Sequence, residues 1–213
     1  MARDMASDAA PGDRPSLTAL LNANLDRHFD ELSAEWCPEI DDPGLRKALF
    51  ENPRTRRQIL DDVLAARGVA SVAEVTGFEG EEELRLALLF QKDALALQIG
   101  AAWVSNALVD LAGRGRASET FPELSRTALK TALAFRDHAP RKEAIGNPNE
   151  IDLRREGALC FAKWVEGLPQ DVACRVHFGA SDGDAQMNVE EAAQRRALCA
   201  LVLTSLDEKD AVE

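Results

Sequence analysis

The sequence of 213 residues has no tyrosine, and aromatic residues make up only 5% of it. It has three histidines, His28, His138 and His177, which fall on three different expected elements. No HxxxH or HExxH pair is present, which excludes the helical two-histidine zinc motifs. The four cysteines, Cys37, Cys160, Cys174 and Cys199, include no CxxC spacing, so zinc ribbons and thioredoxin-type redox motifs are excluded too. A chain of this length can bury its own core, so a disulfide framework is not expected. No run of about 18 apolar residues occurs, the length a membrane-crossing helix needs. Met1 to Pro15 mixes charged and small residues and lacks the apolar stretch of a secretory signal. These absences point to a cytoplasmic, bacterial protein.

Basic residues are the other shortfall. Lys and Arg number 25 against 37 Asp and Glu, a formal net charge of -12. That balance repels nucleic-acid phosphates and anionic membrane surfaces. Its simplest role is to keep the chain soluble.

Helical signals fill the rest. Ser16 precedes Leu17, Leu20, Leu21 and Leu25 at helical spacing, a cap followed by an apolar stripe. Asn52-Pro53 is a cap with proline at the first helical position. Ile59, Leu60, Val63 and Leu64 form the stripe that follows, with Gly68 as its terminator. Ser71 and Glu74 form a capping box for one further turn. The stretch Glu81 to Leu111 is apolar nearly all round, so it should lie at the centre of the fold. Gly100 sits in its middle and is either a break or a point of close packing.

Pro122 is expected to start the next helix, Glu150 roughly the one after, and Pro169 a short one. Asn188 and Glu191 cap a last helix that should bury Ala192, Ala193, Leu198, Leu201 and Val202. The expectation is an all-α protein, an irregular multi-helix bundle in a single globular domain. A disordered leader covers residues 1–15, the helical domain 16–206 and an acidic tail 207–213.

A search for chemistry yields little. Cys174 and His177 are three apart, but a Cys-His dyad normally draws on separate elements and an orienting third group. Asp182-Gly183-Asp184 lacks the glycine and glutamate of a calcium loop and reads as a turn. Gly113 to Arg116 has no Lys-Ser/Thr after it and no strand before it, so it is no phosphate loop. No catalytic, cofactor-binding or metal-binding residue is expected. Arg54, Arg56 and Arg57 form one basic group and Arg154 and Arg155 a second, each suited to docking an acidic partner. Trp103 reads as core. Trp36 and Trp164, near element ends, read as interface anchors.

Three segments carry a family resemblance. The first runs from Trp36 to Glu39 into Leu45 to Leu49 and Asn52 to Arg57. The second is Leu84 to Leu89 with Leu95 to Ala101. The third is Arg155 to Leu159, Gly167 to Gln170 and Arg175 to Phe178. Over Trp36 to Phe178 the chain resembles the SctK family, the K-type sorting-platform proteins of bacterial type III secretion. The resemblance implies a non-enzymatic, cofactor-free cytoplasmic adaptor that lies at the inner membrane through its partners. Those partners would be an SctD-like ring protein's cytoplasmic domain and an SctQ-like spoke protein. A chaperone or regulator that caps a helical client is the alternative class, and an enzyme with a site assembled from dispersed residues is a third.

Overall fold

In the computed structural model, the residues described are 15–27, 40, 42–66, 79–90, 92–141, 147, 150–173, 175–176 and 187–206. Among them there are α-helices, short 3-10 turns and no strand, so the protein is all-α. Residues 1–14 of the expected leader, the acidic tail, Gly68, Ser71, Glu74, His28, Trp36, Cys37, Cys174, His177 and Asp182 to Asp184 lie outside these residues.

Helix α1 (Leu17–Arg27) is capped by Ser16, whose Oγ accepts the Ala19 N–H at 3.2 Å. Helices α2 (Pro43–Glu51) and α3 (Pro53–Ala66) are joined through Asn52, whose backbone is extended. The Asn52 Oδ1 accepts the Arg54 N–H at 3.1 Å, as the Asn-Pro signal predicts.

The apolar stretch Glu81 to Leu111, whose sequence leaves a break at Gly100 open, forms three helices. These are α4 (Glu81–Leu89), α5 (Lys92–Trp103) and α6 (Ser105–Gly113). Phe90 breaks the first join with extended backbone, φ -69 and ψ 142. At the second join, around Val104, the chain bends by 76°. Both joins are buried, so the turn brings two apolar segments into one core. No single described helix is long and apolar enough to cross a membrane.

Gly100 lies inside α5, not at a break, and its role is close packing. A Cβ there would stand 1.8 Å from the Leu153 carbonyl oxygen. Gly157, on helix α9 (Leu153–Val165), is its counterpart, since a Cβ there would stand 1.8 Å from the Ala96 carbonyl oxygen. Two helix backbones meet through these missing side chains, and α5 against α9 is the most extensive helix pair among the described residues.

Between α6 and α9 come α7 (Ala117–Thr120), α8 (Arg126–Ala134) and the 3-10 turn Arg136–His138. Pro122 does not start a helix. It lies in a turn, and α8 begins after Ser125, whose Oγ accepts the Ala128 N–H at 3.0 Å. A hydroxyl placed to cap the free N–H groups outweighs the proline signal here. Asp152 caps α9 by accepting the Arg154 and Arg155 N–H groups at 2.9 and 3.2 Å.

A short α10 (Gln170–Ala173) leads to the last helix, α11 (Val189–Ser205). Asn188 caps α11 through the Glu191 N–H at 2.8 Å. The buried face of α11 is Arg195, Leu198, Cys199, Val202 and Leu203. Leu201 and Ala193, expected in the core, are exposed. The inner stripe of the helix runs through Arg195, Leu198, Cys199 and Val202, and these two lie outside it.

Candidate functional site

Arg195 occupies a core position on α11 and is only 5% exposed. A charge so placed needs partners, and two glutamates supply them. Its Nη2 lies 2.7 Å from Glu156 Oε2 on α9 and 2.9 Å from Glu191 Oε1, one turn earlier on α11. Its Nε also donates to Glu191 Oε1 at 3.0 Å. Nη1 donates to the Glu156 carbonyl at 3.3 Å and to Cys160 Sγ at 3.5 Å. The guanidinium lies over the Trp103 ring, 4.1 Å from its centroid, a cation–π contact. The next residue, Arg196, donates to the Lys163 carbonyl at 3.1 Å, so α11 grips the backbone of α9 twice.

The electrostatics follow from burial. Loss of solvent pushes the Cys160 thiol up to about 12 from an ordinary 9.0, and the neighbouring Arg195 only partly offsets it. Burial also raises the Cys199 thiol, with a further push from Cys160. Burial alone would lower the Arg195 pKa. Attraction to Cys160 and Glu156, with hydrogen bonds to Glu156 and Glu191, outweighs it and raises the pKa. At neutral pH the guanidinium is therefore charged and both thiols are protonated, so neither cysteine is a ready nucleophile.

The cluster opens on a cleft of about 400 Å³. Glu156, Glu191 and Trp103 line it, with Asn188, Glu190 and Gln194 at the start of α11. Pro140 and Gln194 also line a broader, open hollow of about 730 Å³, walled by Arg136, Asp137, Arg141 and Asn106. Asn106 braces that side: its Nδ2 donates to the Pro140 carbonyl at 2.9 Å and its Oδ1 accepts from Arg136 Nε at 3.2 Å. Among the described residues no group of three His, Cys, Asp or Glu side chains is placed to hold a metal ion.

The residues picked from sequence lie elsewhere. Arg54 and Arg57 are exposed and Arg56 is half-buried, all in the first turns of α3. Arg154 and Arg155 are exposed in the first turn of α9 and line a smaller hollow of about 240 Å³ with Asp93 and Phe161. Arg154 Nη1 reaches the Asp93 carbonyl at 3.2 Å and its carboxylate at 3.8 Å. The two arginine groups thus sit on separate elements. Trp164 is not a surface anchor. It is 6% exposed and packs on Phe161, with ring centroids 5.3 Å apart. Its place on α9 faces the core, which takes up a large ring for the area it buries. Trp103 is core, as expected.

Sequence reasoning missed Arg195 because an arginine on a helix reads as surface. The available signal was its register: Arg195 falls on the stripe of Leu198, Cys199 and Val202, with Glu191 four residues before it.

No family model, curated protein or solved structure matches the chain.

Proposed function

We propose that the protein is a cytoplasmic, non-enzymatic adaptor of a type III secretion sorting platform. In this reading it joins the cytoplasmic domain of an SctD-like ring protein to an SctQ-like spoke protein. The observation that carries the reading is the resemblance to the SctK family over Trp36 to Phe178. Its second segment covers most of α4 and of α5, and its third begins in α9 and reaches the start of α10. The pairing of α5 with α9 makes these segments the centre of the fold. The exposed arginines also suit docking: Arg54 and Arg57 stand at one end of α3, and Arg154 and Arg155 at one end of α9.

In-cell crosslinking with mass spectrometry tests the reading. Crosslinks to both a ring subunit and a spoke protein are expected. Crosslinks to one secreted client alone would favour a chaperone, and an absence of both expected partners would end the adaptor reading.

The cleft beside Arg195 favours a second reading, an enzyme with a dispersed site. Two features weigh against it. Glu156 and Glu191 both accept from Arg195, and the Cys160 thiol is protonated at neutral pH.

A further inference from the structure

The cleft and the adjoining hollow share Pro140 and Gln194, so they form one two-lobed groove. Their formal charges are opposite. The first lobe holds Glu156, Glu190, Glu191 and Arg195, a sum of -3 and +1, or -2. The second holds Arg136, Arg141 and Asp137, a sum of +2 and -1, or +1.

In the acidic lobe, Arg195 uses Oε2 of Glu156 and Oε1 of Glu191. The other oxygen of each carboxylate is left to accept from the cleft. Glu190 is exposed and forms no ion pair among the described residues. Arg195 therefore works as a positioning residue: it holds two carboxylates at the wall of a cleft whose net charge stays negative. Trp103 lines the same cleft with the Arg195 guanidinium over its ring, so its indole reports on what enters. In the basic lobe, Arg136 is held by a neutral amide, and Arg141 forms no ion pair among the described residues.

We propose that this groove docks an extended segment of a partner protein, with an arginine or lysine in the acidic lobe and an acidic side chain in the basic lobe. The two volumes, about 400 and 730 Å³, together exceed what one side chain fills. Opposite charges at the two ends set the direction in which such a segment lies, since a reversed segment would meet like charges at both. This inference stands on the groove and does not require the adaptor reading. Peptide binding without ring or spoke crosslinks would keep the one and end the other.

The test uses the full chain, with the Trp103 indole N–H followed by NMR. The probes are capped glycine peptides carrying one arginine and one glutamate at spacings of one to four residues. Matched peptides carry citrulline in place of arginine, and agmatine serves as the free cation. The expected result is a saturable Trp103 shift with the Arg/Glu peptide of fitting spacing. Binding should weaken about tenfold with citrulline, because a charge-assisted pair becomes a neutral one. It should weaken about two- to fivefold in Glu190→Gln, as for an exposed pair, and further in Glu190→Lys. Arg141→Glu should weaken the glutamate-bearing peptides and leave agmatine unchanged. Glu190 and Arg141 are exposed, so these variants keep the fold. The proposal is overturned if no peptide shifts Trp103 at millimolar concentration, or if citrulline binds as well as arginine. It is equally overturned if agmatine binds as tightly as the best peptide, which would make the occupant a free cation.

Discussion

Against α5, helix α9 presents Gly157, and the contact is backbone on backbone. Against α11 it presents Glu156, and the contact is charge on charge. At its two glycines the first contact leaves no room for a side-chain atom, since a Cβ on either would fall 1.8 Å from a carbonyl oxygen. The second turns on one side chain: a guanidinium bridges two carboxylates, a carbonyl, a thiol and an indole. Close packing of small residues gains dispersion at little desolvation cost. A buried ion-pair cluster offsets a large desolvation cost only while every member is present. The two faces should therefore fail in different ways.

The largest effect is expected from Arg195→Ala. It leaves Glu156 and Glu191 facing each other without their counter-ion and should cost about 3–5 kcal/mol in urea unfolding. Arg195→Met combined with Glu156→Leu and Glu191→Leu should recover most of that stability, because no charge is then stranded. A triple variant as unstable as the single one would show that packing, not charge, joins α9 to α11.

Next comes Gly157→Ala, expected to cost about 3 kcal/mol by overpacking despite alanine's better helix propensity. Thermal melts would check it, and no apolar partner substitution should rescue it, since the clash is with backbone. A neutral result would mean that α5 and α9 separate with ease.

Alkaline pH probes the charged side alone. The folded Cys160 thiol keeps its proton to about pH 12, whereas the unfolded chain releases it from about 9. The folded state then binds more protons across that window, so stability falls as pH rises through it. The slope is about 1.4 kcal/mol per unit. The stability that the buried, protonated thiol contributes is fully present below pH 9 and lost toward 12. Urea midpoints between pH 9 and 11 should fall less steeply in Cys160→Ala than in the parent chain.

The smallest effect is expected at the start of α9, where the two faces share one cap. Asp152→Ala should cost about 1 kcal/mol, measured by chemical denaturation, with neither interface lost.

What could be read from the sequence was local. Ser16, Asn52 and Asn188 cap helices as their types and spacing indicate. The all-α class followed from the same periodicity. What could not be read depended on residues far along the chain. Gly100 was ambiguous because its meaning lies with Leu153 and Gly157. The bend at Val104 carries no proline or glycine to announce it. Trp164 stands near a helix end in sequence, yet in space α9 turns it inward. The exposed arginines of α3 and α9 were legible as surface groups. The groove was not, because its walls come from the turns around Pro140, from α9 and from the start of α11.

The glycine crossing also bears on the order of folding. Gly100 and Gly157 lie 57 positions apart, and closing a loop of that length costs about 3–4 kcal/mol of chain entropy. The crossing returns nothing until the two backbones touch. Helices α6 to α8, which lie within that loop, can form earlier from local contacts. Substitutions at the crossing should then speed unfolding far more than they slow folding, the signature of an interaction completed after the transition state.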